Sequence, residues 1–111
     1  MLERLRDDGS IVLAVQGDVD LGTVDTLATH LADVCDRAPA VTVDLRRVGF
    51  LDCLGLRALL ELNAAGLATG CEVAFIQGPR PVERLFELTG TLGLLTFAEA
   101  GARVRAAAGS A

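Results

Sequence analysis

Val41-Thr42-Val43-Asp44-Leu45, followed by Arg46 to Leu51 and then Asp52-Cys53-Leu54-Gly55-Leu56, is the stretch that decides the fold. Its first five residues alternate apolar and polar and read as a strand. Arg46–Leu51 reads as a loop. From Gly55 to Ala68 the apolar period becomes helical. Leu56, Leu59, Leu60 and Leu67 fall on the core side, and Arg57 and Glu61 face water. Gly70 ends the helix. A strand at Glu72–Gln77 follows. Strand, helix, strand at this spacing implies a parallel β-α-β unit.

Toward the amino terminus, Asp7-Asp8-Gly9-Ser10 is a turn that separates Leu2–Arg6 from Ile11–Gln16, and it predicts an antiparallel hairpin. Ile11-Val12-Leu13-Ala14-Val15 is apolar throughout, as expected of a strand inside the sheet. Val24, Leu27, Ala28, Leu31, Val34 and Cys35 share one helical face, with Thr23 or Leu21-Gly22 near its start and Pro39 beyond its end. Toward the carboxyl terminus, Gly78-Pro79-Arg80-Pro81 is a turn into a helix bearing Val82, Leu85, Phe86 and Thr89, which Gly90 ends. Leu92–Phe97 is expected to add a short strand or turn, and Glu99–Ala107 a last helix. The order is β-β-α-β-α-β-α plus a terminal helix. The fold class is α/β, a single domain whose mixed sheet opens with an antiparallel hairpin and continues parallel. Right-handed crossovers place the helices mainly on one face.

The 111 residues suit one domain. With 51% hydrophobic residues the chain has apolar mass for a core. It has four Phe and neither Trp nor Tyr, which argues against a stacking platform for bases. A net charge of −5 argues against nucleic acid or an anionic membrane as partner. No uncharged apolar stretch reaches the roughly 18 residues of a membrane span. Cys35, Cys53 and Cys71 lack ligand spacing and His30 is the single histidine, so no metal is expected. The absence of a signal peptide and of paired cysteines predicts a reduced, cytoplasmic protein.

Sites in open α/β sheets gather beyond the carboxyl ends of parallel strands. Here those ends are Gly17-Asp18-Val19-Asp20 and Gly49 to Leu56, which converge if the two strands are neighbours. Asp52 is placed to cap the following helix, and residue 53 then sits in its first turn, where the helix dipole favours negative charge. Two readings stay open. Either the segment recognises something, or Asp52 merely caps, Gly55 merely permits close packing and Cys53 is a small buried residue. Asp20 as a general base lacks an accompanying nucleophile, histidine or metal set. Thr23, Thr89 and Thr91 read as helix-end residues, and Cys35 and Cys71 as structural.

These residues resemble the STAS family. Gly17-Asp18-Val19-Asp20 is similar to its Gly-Glu-Leu-Asp element. Val43-Asp44-Leu45 with Phe50 to Leu56 is similar to its Val-Asp-Leu … Phe-Ile-Asp-Ser-Ser-Gly-Leu segment, and Pro81 to Gly90 to its third helix. The resemblance implies a STAS-like domain over residues 1–108; the Ala/Gly-rich stretch from Ala102 to Ala111 is expected to fray, with 109–111 as a disordered tail. It also implies a bacterial anti-sigma-factor antagonist: a non-enzymatic module, without cofactor, that binds an anti-sigma factor of histidine-kinase-type ATPase fold and so frees a sigma factor. The partner-binding residues it implies are Asp18, Asp20, Thr23, Asp52, Cys53, Leu54 and Leu56. In the family the partner kinase phosphorylates the first serine of Asp-Ser-Ser-Gly-Leu. That position holds Cys53 here and the next holds Leu54, so the serine switch is expected to be missing. A thiol switch at Cys53 is the alternative, opposed by the charge of neighbouring Asp52. The domain is expected to be a monomer or weak dimer. The other functions to weigh are the soluble STAS subunit of a lipid-transport ABC system, a scaffold component of a signalling complex, and a small enzyme or nucleotide-binding protein. The last lacks a P-loop or a Gly-x-Gly-x-x-Gly element after a strand.

Overall fold

Strands β1 (Leu2–Leu5), β2 (Ile11–Val19), β3 (Ala40–Leu51) and β4 (Glu72–Ile76) alternate with helices α1 (Val24–Arg37), α2 (Cys53–Thr69) and α3 (Arg80–Thr89) after the opening hairpin. These come from a computed structural model that describes residues 2–98. The terminal helix expected over 99–107 and the tail beyond it lie outside the described residues. The sheet order is β1-β2-β3-β4, with β1 antiparallel to β2 and the other neighbours parallel. This is the mixed sheet that the hairpin and the helix–strand alternation imply.

The core lies between the sheet and its helices. Leu13, Val15, Val41, Val43, Leu45, Val73 and Phe75 meet Leu27, Leu31 and Val34 of α1, Leu56, Leu59 and Leu62 of α2, and Val82 and Phe86 of α3. On the other face Val12, Thr42, Ala74 and Ile76 are buried as well, whereas Leu2 and Arg4 on the edge strand are exposed. Instead of an added strand, Leu92–Leu94 form a single 3-10 turn. Phe97 then makes an isolated bridge to Phe75 and packs edge-on against Phe86, with ring centroids 5.5 Å apart.

Three local readings are corrected. The strand expected over Ile11–Gln16 runs on through Gly17-Asp18-Val19, which form the end of β2. Arg46–Leu51 is likewise strand, so β3 runs for 12 residues. Both misreadings have one cause. The β2–β3 register shifts between Ala14 and Gln16 and again between Gly17 and Asp18, and Gly17 takes φ 86°. An irregular ladder breaks the strict alternation by which strands are recognised. The third correction is Leu67, which is 78% exposed. Its neighbour Gly66 takes the inward position, where an added Cβ would lie 2.7 Å from the Cys71 carbonyl oxygen. The helix backbone there packs directly on the chain entering β4.

Two carboxylates tie acid sensitivity to this fold. The Arg46 guanidinium is hydrogen-bonded to both oxygens of Asp44 and holds its carboxyl below the usual range. Arg37, and after it His30, do the same for Glu3, tying β1 to α1. A carboxyl whose folded pKa is depressed contributes stability that is complete above its unfolded pKa, roughly 4, and is lost as pH falls through the folded value. Wild-type stability should therefore fall as pH drops below about 4. In urea titrations at a series of pH values, the Glu3→Gln/Asp44→Asn double variant should show a flatter acid limb. An unchanged slope would contradict this assignment.

Candidate functional site

The two segments singled out in the sequence are direct neighbours in the sheet. Asp18 pairs with Phe50 and Val19 with Leu51. Past the ladder, Asp52 donates its N–H to the Val19 carbonyl at 3.2 Å. The exit of β2, the exit of β3 and the first turn of α2 thus form one continuous piece of surface.

Asp52 caps α2. Its Oδ1 accepts from the Gly55 N–H at 2.9 Å, which satisfies one of the backbone donors a helix start leaves unpaired. Gly55 is required by packing. An added Cβ would lie 2.5 Å from Leu51 Cδ1 and 2.6 Å from Val19 Cγ1. A glycine-to-alanine change inside a helix usually gains up to about 1 kcal/mol in propensity, but overpacking a buried contact costs about 1–3 kcal/mol. The clash should win. Gly55→Ala is expected to lower the urea midpoint, and a midpoint equal to or above wild type would contradict this packing.

The β2 exit is a hydrogen-bonded turn. Asp20 Oδ1 accepts from the Gly22 N–H at 3.0 Å, and the Asp20 carbonyl accepts from the Thr23 and Val24 N–H groups. The Thr23 hydroxyl donates to the Asp18 carbonyl at 2.9 Å and accepts from the Asp20 N–H at 3.0 Å. Thr23 occupies the position before α1 without a side-chain capping bond of its own. Its hydroxyl is committed to holding the turn, and Asp20 shares that work.

Of the seven residues carried over from the resemblance, Asp18, Cys53 and Leu54 are exposed, Asp20 and Asp52 are half-buried, and Thr23 is exposed with its hydroxyl engaged. For Leu56 the partner role is corrected and the core-side reading from the helical period holds. Leu56 is 4% exposed and belongs to the core, so it supports the surface from beneath and is not available to a partner. The sequence reading missed Leu21 and Phe50, which are 75% and 51% exposed at the same end of the sheet. Phe50 was legible only as part of a motif. The signal for both is apolar side chains beside a turn that offers them no core to enter.

The surface is apolar and acidic. Leu21, Phe50 and Leu54 are exposed on the segments that carry Asp18, Asp20 and Asp52, and Asp25 lies in the first turn of α1. Among the described residues no arginine pairs with any of these four aspartates. Nor does any group of three or more His, Cys, Asp or Glu among them form a metal-binding set. No helix among the described residues is long and apolar enough to cross a membrane.

Fold and site together define a small mixed α/β domain of STAS type. The chain belongs to the STAS domain family: the family model described as Mlab, STAS domain, matches residues 3–105. An anti-sigma factor antagonist from Mycobacterium paratuberculosis is similar at 28% identity and a TM-score of 0.72, over 86% of this chain and 81% of that one. The Bacillus cell-fate determinant SpoIIAA in its phosphorylated form shares the fold at 13% identity and a TM-score of 0.66, over 87% and 89% of the two chains. A sulfate transporter family protein from Wolinella succinogenes shares it at 18% identity and a TM-score of 0.70, over 86% and 81%. No curated protein matches.

Proposed function

We propose that this protein is a cytoplasmic anti-sigma-factor antagonist that acts by binding and not by turnover. Its partner is an anti-sigma factor of histidine-kinase-type ATPase fold, and capture of that partner frees a sigma factor. The observation that carries the reading is the 28% identity to an anti-sigma factor antagonist across most of both chains. The exposed Leu21, Phe50 and Leu54, on segments whose aspartates pair with no arginine among the described residues, support it, because apolar side chains on acidic segments suit a partner surface that is apolar and basic.

By the resemblance, Cys53 takes the family's phosphoacceptor position, and Leu54 follows it in the chain. Transfer to serine makes a phosphoester and adds about −1.5 to −2 charges; a serine kinase has no hydroxyl to use at residue 53. The antagonist therefore binds without the usual off-switch. When the chain is mixed with its anti-sigma ATPase and ATP, the complex should persist and residue 53 should carry no phosphate by mass spectrometry. Phosphate on Cys53, or loss of the complex on adding ATP, would refute this. Failure to form any complex would sink the antagonist reading itself.

A second reading is the soluble STAS subunit of a lipid-transport ABC system, whose partner is a nucleotide-binding subunit. It is favoured by the matching family model, which carries the Mlab description and not an anti-sigma one. Capture of an ABC nucleotide-binding subunit in place of a kinase-type ATPase would select it.

A further inference from the structure

Cys35 and Cys71 are separated by 36 residues, yet their Sγ atoms lie 3.2 Å apart. Cys35 is near the end of α1 and Cys71 immediately precedes β4, so the pair sits at the amino end of the parallel strands, opposite Cys53. Cys71 is buried and Cys35 half-buried. The two are held differently. The backbone at Cys71 is pressed against α2, with its carbonyl 2.7 Å from where a Cβ on Gly66 would lie, so Cys71 has little room to withdraw. Cys35 borders a groove between α1 and α2 lined by Ala28, Ala32, Ala58 and Ala65. Asp36, Glu61, Leu62 and Thr69 complete its lining, so Cys35 is the half-buried member of the pair that faces a surface groove. A disulfide needs sulfurs at about 2.05 Å, a closure of about 1 Å from this distance, within reach of side-chain rotation.

We propose that Cys35 and Cys71 are an oxidation site, at which peroxide closes an intramolecular disulfide that ties the end of α1 to the start of β4. The Cys35 thiolate attacks one peroxide oxygen and the O–O bond breaks. The departing hydroxide takes up a proton and leaves as water, and Cys35 is oxidised to a sulfenic acid. The Cys71 sulfur then attacks the Cys35 sulfur, the S–O bond breaks, and the second hydroxide leaves as water with the Cys71 proton. Two thiols are oxidised to one disulfide, and one peroxide is reduced to two waters. Burial, and then the hydrogen bond with Cys71, push the Cys35 thiol up to about 12. Little thiolate exists at neutral pH, so the first step is slow and calls for sustained exposure to oxidant. This site is independent of the partner surface and stands or falls separately from it.

The test is peroxide treatment of the folded wild-type chain, alkylation of remaining thiols, and tryptic mapping without reductant. The chain has no lysine, and with the Arg80–Pro81 bond resistant to cleavage the three cysteines fall in separate peptides, 7–37, 48–57 and 58–84. The expected product is the 7–37/58–84 cross-link, two hydrogens lighter than the sum of its parts. It should exceed links to Cys53 by about tenfold, a preference that guanidinium removes by erasing the proximity. The oxidised protein should melt higher by on the order of 10 °C and return to the starting value with dithiothreitol. If Cys53 oxidises while Cys35 and Cys71 remain alkylatable, or if links to Cys53 dominate in the folded chain, the proposal is wrong.

Discussion

Phe86→Ala is expected to destabilise the domain by about 3–5 kcal/mol, the range for emptying a buried aromatic site. Phe86 is fully buried and, with Val82, is one of the two buried residues of α3. It also meets Phe97 edge-on, and Phe97 in turn contacts Phe75 on β4. Losing the ring empties the joint between α3, β4 and the segment that follows the 3-10 turn. Domains of this size hold about 5–15 kcal/mol in total, so the variant gives up a large share. Its Tm should fall by on the order of 20 °C. A drop of only a few degrees in calorimetry would mean that α3 is not anchored through this residue.

Leu54→Asp should have the opposite profile, with folding retained and recognition lost. Leu54 is 42% exposed in the first turn of α2, so its replacement leaves no core cavity. Exposed substitutions of this kind usually change stability by no more than about 0.5 kcal/mol. At an interface the same change removes an apolar contact and places a carboxylate where water is to be expelled. Truncation of a residue that anchors an interface costs about 2 kcal/mol or more, and a buried unpaired charge adds to that. The anti-sigma ATPase should therefore bind on the order of 100-fold more weakly, with melting within a few degrees of wild type. Equal affinity in isothermal titration would remove Leu54 from the surface. Asp20→Ala is a less clean probe, because the Asp20 side chain also holds the Gly22 N–H of its turn.

What the sequence made legible was set by local rules. The Asp8-Gly9 turn, the α1 face of Leu27, Leu31 and Val34, the Asp52 cap and the glycine ends of α2 and α3 all depend on neighbours within a few residues, and the structure has each of them. The misread pieces depend on partners far along the chain. Arg46 and Arg47 broke the alternation of β3, and only the shifted pairing with β2 shows why the strand continues through them. Leu67 fitted a helical stripe as well as its neighbours did. What turned it outward was the approach of Cys71 to Gly66, a contact between separate elements. The Cys35–Cys71 pair was invisible for the same reason, since it joins the end of one helix to the start of a strand 36 residues on. At the site, adjacency of the two segments followed from strand order and handedness. The helical period already turned Leu56 inward, against the partner role that the resemblance gave it, whereas the exposure of Leu21 and Phe50 required the packed structure.

Most direct of all is where a bound partner lies. Hydrogen–deuterium exchange of the wild-type chain, free and saturated with the anti-sigma ATPase, reads this along the backbone. Protection should concentrate in residues 17–23 and 50–57, where β2 and β3 end and α2 begins. Protection confined to α3 and the turn after it, with those two segments exchanging as in the free protein, would contradict the account.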